Sequence, residues 1–346
     1  MRPFLNNNSN ILLIHMKKIL ITGASGFIGS FLVEKALQQG FETWAAVRKS
    51  SSKAYLKDPR IHFIELDLGD PDKLKEQLHG HHFDYVIHAA GVTKCLHRDD
   101  FFRVNTQGTK HLVDALRQQD SPIERFVFIS SLSVYGSIKE QRPYTDICED
   151  DIPQPTTAYG QSKLECEQML DQQEGFPYII LRPTGVYGPR EKDYFMMAKS
   201  IKGHVDFAVG YQPQDLTFIY VEDLVQAAFL ALDRGTIGAH YALSDGQTYN
   251  SRTFSDLIRR ELGNPWLLRI TAPIWLLFII AHLGNIWAHI SGKPVTINTD
   301  KYNIMKQRNW RCDITPAKKE LGYKPLYPLD KGVGCTMNWY KENGWI

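Results

Sequence analysis

The run Lys18-Ile19-Leu20-Ile21-Thr22 is apolar and breaks at once into Gly23-Ala24-Ser25-Gly26-Phe27-Ile28-Gly29, with helix-forming sequence beyond. The reading is strand, glycine turn, helix. Gly23 permits a tight turn, Gly26 lets main chain approach a pyrophosphate, and Gly29 lets the helix pack closely on the strand. Free N–H groups where a helix begins attract an anion, so Ser25, Phe27 and Ile28 belong to the same expected site. A dinucleotide is the ligand this unit suits.

Strand and helix signals then alternate. Strands are expected at 42–47, 61–67, 85–89, 126–130 and 178–182, with helices running to 39 and over 71–78, 103–119 and 157–173. This order predicts an α/β fold, a Rossmann-type doubly wound parallel sheet, with a smaller interleaved C-terminal substrate domain. The dinucleotide domain is assigned to 16–182, with 216–235 returning to it through a strand at 216–221. Residues 183–215, with a helix over 194–201, and 236–346 are assigned mainly to substrate binding.

Tyr159 and Lys163 stand four apart and share one face of the expected helix. A free phenol has a pKa of about 10, and a nearby ammonium favours the phenolate, which makes Tyr159 a candidate proton carrier. Ser131 and Ser133 follow the strand 126–130, at the edge where such sheets bind ligands.

These residues lie among others that resemble the extended short-chain dehydrogenase/reductase family, in its NAD-dependent epimerase/dehydratase branch. Thr22-Gly23 with Gly26 and Gly29, Asp67-Leu68-Gly69-Asp70, His88-Ala89-Ala90-Gly91, Val104-Asn105-Thr106-Gln107-Gly108-Thr109 and Arg182-Pro183-Thr184-Gly185-Val186-Tyr187-Gly188-Pro189-Arg190 are similar to its motifs in order. The resemblance implies that Ser131 polarises the reacting oxygen, Tyr159 is the acid/base, Lys163 holds the nicotinamide ribose, and Asn105 supports that helix. It implies that Asp67 and Leu68 contact adenine and that Ala89, Ala90 and Gly91 lie beside the cofactor. The loop with Pro183, Thr184 and Val186 would line the cofactor, and Ser133, Tyr187 and Arg190 the substrate. In Phe218–Leu224 it points to Asp223, for which structural capping is the expected role. A homodimer is a further implication.

Arg48 and Lys49 end the second strand where an NAD-selective site carries an acid. A guanidinium forks onto phosphate oxygens, so NADP is the expected cofactor, with NAD as the alternative if both are plain surface charges.

The substrate is read from other segments. Thr184-Gly185 replaces the Asn common in nucleotide-sugar enzymes, and Leu132-Ser133 replaces the dehydratases' Asp-Glu, which disfavours dehydration. The RPTGVYGPR loop, the apolar run 273–281 and the ending 313–325 resemble 3β-hydroxysteroid and sterol dehydrogenase-like members. An apolar alcohol or ketone is the expected substrate. A nucleotide-sugar 4-epimerase and a non-catalytic dinucleotide sensor are the alternatives. The run 273–281 is expected foremost as buried core or a substrate lid; peripheral membrane or subunit contact through 273–290 is the alternative, since the run is too short to span and Trp275, Phe278 and Trp287 suit an interface. Most of the late tryptophans, Trp266, Trp287, Trp310, Trp339 and Trp345, are expected in the core.

The chain has 346 residues, 43% hydrophobic, with a net charge of +2 and no basic block, so nucleic acid is not an expected partner. Its five scattered cysteines lack metal-ligand spacing, and His79, His81 and His82 have no completing ligands; no metal is expected. Unpaired thiols fit a cytoplasmic location, with a location peripheral to a membrane as the alternative. Residues 1–15 read as a disordered leader or a mis-assigned start, with Met16 as the expected beginning.

Overall fold

Parallel pairing of apolar strands organises the chain, as a computed structural model shows for residues 16–119, 121–292, 295 and 298–346. The expected leader 1–15 lies outside the described residues. The first elements are β1 (Lys18–Thr22), α1 (Phe27–Gln38), β2 (Glu42–Val47), β3 (His62–Glu65), α2 (Pro71–Leu78) and β4 (Tyr85–His88). Next come α3 (Arg98–Phe101), a π-helical turn (Phe102–Gln107) and α4 (Gly108–Arg117), followed by β5 (Arg125–Ile129), α5 (Ala158–Asp171) and β6 (Tyr178–Pro183).

The main sheet has seven strands. Its order is β3-β2-β1-β4-β5-β6 and then β11 (His240–Leu243), parallel throughout. Side chains alternate between its faces: Ile19, Ile21, Ile87, Val127 and Ile129 join one core, whereas Leu20, Val86, Phe126 and Phe128 join the other. Helix α1 contributes Leu32, Val33 and Ala36 to the first; α2, α4 and α5 contribute Leu74, Leu112 and Leu170 to the second. Strand order reverses between β1 and β4, which opens a crevice at their C-terminal ends.

The remaining elements are β7 (Gly185–Tyr187), α6 (Lys192–Lys202), β8 (Val205–Val209), β9 (Asp215–Leu216), β10 (Phe218–Tyr220), α7 (Val221–Asp233), β12 (Tyr249–Asn250), α8 (Thr253–Glu261), β13 (Leu268–Ala272), α9 (Ile274–Ser291), α10 (Thr299–Lys306) and α11 (Leu329–Glu342). Here the structure departs from the sequence reading. The strand expected at 216–221 is two short strands outside the main sheet, β9 with β12 and β10 with β7. Helix α7 does return, packing on α1, β5 and β6. The main sheet's last strand, β11, comes from the stretch assigned to substrate binding. A four-residue strand paired on one side carries too little periodicity to announce itself.

Helix α9 corrects a second expectation, because most of its large side chains face outward rather than into a core. Trp266 and Trp287 are exposed with it, while Trp310, Trp339 and Trp345 pack on the main core. No helix among the described residues is long and apolar enough to cross a membrane.

Candidate active site

The turn after β1 is built so that only glycine fits. A Cβ on Gly23, whose φ is +68°, would sit 2.6 Å from the Ala89 carbonyl oxygen. One on Gly29 would fall 2.0 Å from the Gly23 oxygen, so α1 begins directly against the turn. No side chain caps that helix, which leaves its first N–H groups for an anion. Gly26 is exposed, and Ser25, Phe27 and Ile28 are partly exposed around it. A space closed by backbone, with donors at its edge and open to solvent at Gly26, fits a pyrophosphate.

Other expected cofactor residues lie along the same sheet edge. Arg48 and Lys49 follow β2 and are exposed, and neither side chain meets a carboxylate among the described residues. Asp67, beyond β3, accepts from the Gly69 N–H at 3.1 Å, and the Leu68 carbonyl accepts from His111. Asp70 caps α2 through the Lys73 N–H. Ala89 and Ala90 are partly buried after β4, with Gly91 exposed.

Gly91 also touches the catalytic candidates. A Cβ there would meet Asn105 Oδ1 at 3.2 Å and Lys163 Nζ at 3.5 Å. Asn105 sits in the π-helical turn, a distortion frequent at functional sites. Its amide donates to the Val92 carbonyl and the Ser162 hydroxyl, and its Oδ1 accepts from the Val92 N–H, so it joins this loop to α5.

Tyr159 and Lys163 share one side of α5, as their spacing requires. Lys163 Nζ donates to the Ile129 carbonyl at 2.8 Å and lies 4.5 Å from the Phe128 ring centre. Burial lowers its pKa, against the pull of Cys166 and Glu167. Burial pushes the Tyr159 phenol up to about 12, opposed by a hydrogen bond from Ser131. The phenolate-favouring effect expected from Lys163 does not appear among the groups that set the Tyr159 shift, where burial leads. Ser133 stands behind Ser131, and both its hydroxyl (2.7 Å) and its N–H (3.2 Å) donate to Ser131 Oγ.

Two expected substrate contacts lie elsewhere. Tyr187 is buried among Tyr194, Phe218, Tyr220 and Phe254, a core position no substrate reaches. Arg190 is spent on α1: it donates to Ser30 Oγ and pairs with Glu34 at 2.6 Å, its guanidinium over Phe31 and Tyr55. Pro183 and Thr184 are buried, and the Thr184 hydroxyl donates to the Thr217 carbonyl; Val186 is partly exposed. Asp223 accepts from the Leu326 and Tyr327 N–H groups, which fastens the C-terminal segment.

Three features escaped the sequence reading. His88 links the glycine turn to the Asn105 carbonyl. The Ala90 N–H donates to Thr22 Oγ1, and the Thr109 hydroxyl donates to the Asn105 oxygen. His88 Nε2–H must then donate to Thr109, leaving Nδ1 to accept from Thr22. Behind the catalytic strand, Arg182 and Glu167 form a buried ion pair at 2.7 Å, with Ser130 donating to Glu167 and Arg182 to the Tyr135 hydroxyl. Finally, Asp300 on α10 accepts from the Ala158 and Tyr159 N–H groups at the start of α5. A cavity of about 450 Å³ opens beside that helix start, lined by Arg98, Phe101, Gln161, Asp300 and, from α9, Asn285 and Ala288.

A family model described as NAD dependent epimerase/dehydratase matches residues 19–244, through the cradle, Ser131, Tyr159 and Lys163. The chain belongs to this family. It is accordingly an NAD(P)-dependent enzyme of the dehydrogenase and epimerase kind. Among family relatives, it is 24% identical to a 3 beta-hydroxysteroid dehydrogenase/Delta 5-->4-isomerase of Mycobacterium tuberculosis, over 93% of this chain and 90% of the relative. It is also 24% identical to a ceramide reductase of Caulobacter vibrioides, over 95% and 96%. In shape it is similar to the UDP-glucose 4-epimerase of Thermotoga maritima, with a TM-score of 0.77, 22% identity and coverage of 94% and 99%.

Proposed function

We propose that the protein is an NADP(H)-dependent oxidoreductase that interconverts a hydroxyl and a carbonyl on an apolar, steroid-like small molecule. The observation that carries this reading is a phenol in hydrogen-bond reach of a serine hydroxyl and one helical turn from Lys163, which lies beside the dinucleotide cradle at Gly91. Such a phenol is a proton donor for a carbonyl oxygen that is gaining a hydride.

In this reading the Gly23–Gly29 turn holds the pyrophosphate, Arg48 and Lys49 the 2′-phosphate, Asp67 and Leu68 the adenine end, and Lys163 the ribose hydroxyls. The bound nicotinamide supplies or accepts the hydride. Ser131, oriented by Ser133, binds the substrate oxygen, and Tyr159 gives that oxygen its proton or takes it in the reverse direction. Asn105 keeps α5 in place through Ser162. Two relatives named for a steroid and a ceramide support an apolar substrate. The homodimer expected from the resemblance is part of the same reading.

A second reading, a nucleotide-sugar 4-epimerase, is supported by a relative named "Putative UDP-glucose 4-epimerase", 26% identical over 94% of this chain. It uses the same groups but returns the hydride to the same molecule. Titration with NADPH and NADH, followed by turnover assays, separates the two. Tighter binding of NADPH and its net consumption with sterol-like ketones is expected; cofactor-neutral conversion of a UDP-sugar contradicts the proposal.

A further inference from the structure

Helix α9 presents its large side chains to the wrong side for a helix packed on a core. Leu277, Ala281 and Ala288 face inward, whereas Trp275, Phe278, Ile279, Leu283, Trp287 and Ile290 are each 45–73% exposed. A surface helix ordinarily turns its apolar stripe inward.

The β8–β13 ribbon repeats the inversion. Its inner face is polar: Asp206, only 3% exposed, pairs with Arg252 at 2.7 Å, Arg252 also donates to Thr271, and Arg269 pairs with Asp256. Its outer face exposes Phe207 opposite Ile270, with Leu268 beside them. Strand β13 ends at Ala272 and α9 starts at Ile274, so Pro273 alone separates the ribbon from the helix.

Charge decides what this surface fits. The whole chain is nearly balanced, 40 basic residues against 38 acidic. Yet residues 194–209 and 262–298 contain one acid, Asp206, which is buried in its pair with Arg252, while Lys199 and Lys202 stand on the surface. Lys199 and Lys202, on the exposed end of α6 leading into β8, have no carboxylate partner among the described residues. An exposed apolar face that carries indole rings, next to unpaired lysines and without exposed acids in these stretches, matches the interface of an anionic bilayer. With no described helix able to cross, the contact is one that lies on the surface.

We propose that the α9 helix and the outer face of the β8–β13 ribbon form one lipid-docking surface that seats the enzyme on an anionic bilayer. Asn285 and Ala288, on the inner side of α9, line the cavity beside the start of α5, so the docked helix is also a wall of that cavity. The docking does not depend on which substrate the site converts.

The test is co-sedimentation of the full chain with vesicles of phosphatidylcholine alone and of phosphatidylcholine with phosphatidylglycerol, NADPH titration serving as the check of folding. The protein is expected in the pellet with the anionic vesicles and largely released by high salt. Trp275→Ser/Phe278→Ser/Leu283→Ser should abolish sedimentation with NADPH affinity unchanged, and Lys199→Glu/Lys202→Glu should weaken it by about tenfold or more. Wild-type protein left in the supernatant with both vesicle types overturns the proposal. So does a vesicle-free dimer that the triple serine variant splits, in the absence of lipid binding, because the face then belongs to a second copy.

Discussion

His88 is a neutral imidazole that two threonines hold between the glycine turn and the catalytic neighbourhood, and burial depresses its pKa to about 3. An unfolded chain protonates this residue near its ordinary 6.5, whereas the native state resists until about 3. Stability from this group is therefore fully present above pH 6.5 and is lost as pH falls through that window. Thermal unfolding followed between pH 7 and 4 should show a steeper decline for wild type than for His88→Gln, which cannot take up the proton; equal slopes would contradict the account. Spacing made Tyr159, Lys163 and the glycines legible, because each set is fixed by its positions along one helix or one turn. The Arg182–Glu167 pair depends on how β6 meets α5, and Tyr187 shows the converse. Its motif marked the loop, but the ring turned into an aromatic core.

At the level of elements, α5 is held at its start by two different parts of the chain. Thr157 caps it locally, accepting from Gly160, and Asp300 reaches the Ala158 and Tyr159 N–H groups from α10. A carboxylate at a helix N-terminus satisfies open donors and complements the dipole. Asp300→Ala should cost about 1 kcal/mol of stability, read as a lower unfolding midpoint in denaturant. Turnover should fall more than NADPH affinity, because the loosened turn carries Tyr159 while the cradle lies on α1. An unchanged midpoint would show that Thr157 suffices. Asn303 and Asn285 complete the tie, the first donating to the Thr156 carbonyl and the second to Thr299. None of this was readable beforehand, since a contact spanning 142 residues leaves no trace in local pattern. The helix expected at 103–119 was readable in place, but not its start at Arg98 or its π-helical turn at Asn105.

Across the whole molecule, the parallel sheet followed from alternation of apolar strands and amphipathic helices, and the glycine turn lies at its crevice, whereas Tyr187 and Arg190 of the later motif lie elsewhere. The smaller lobe resisted because its strands run two to five residues and pair only in twos, so packing rather than periodicity defines them. Helix α9 misled for a different reason: apolar sequence reports affinity for an apolar neighbour and is silent on whether that neighbour belongs to the same chain. The central claim is that Tyr159 delivers the proton for hydride transfer beside the cradle. Its most direct test compares Tyr159→Phe with wild type, measuring NADPH affinity by titration and NADPH consumption with a ketone substrate by nicotinamide absorbance. The account predicts unchanged affinity with turnover lowered at least about 100-fold, and a variant that turns over at the wild-type rate would contradict it.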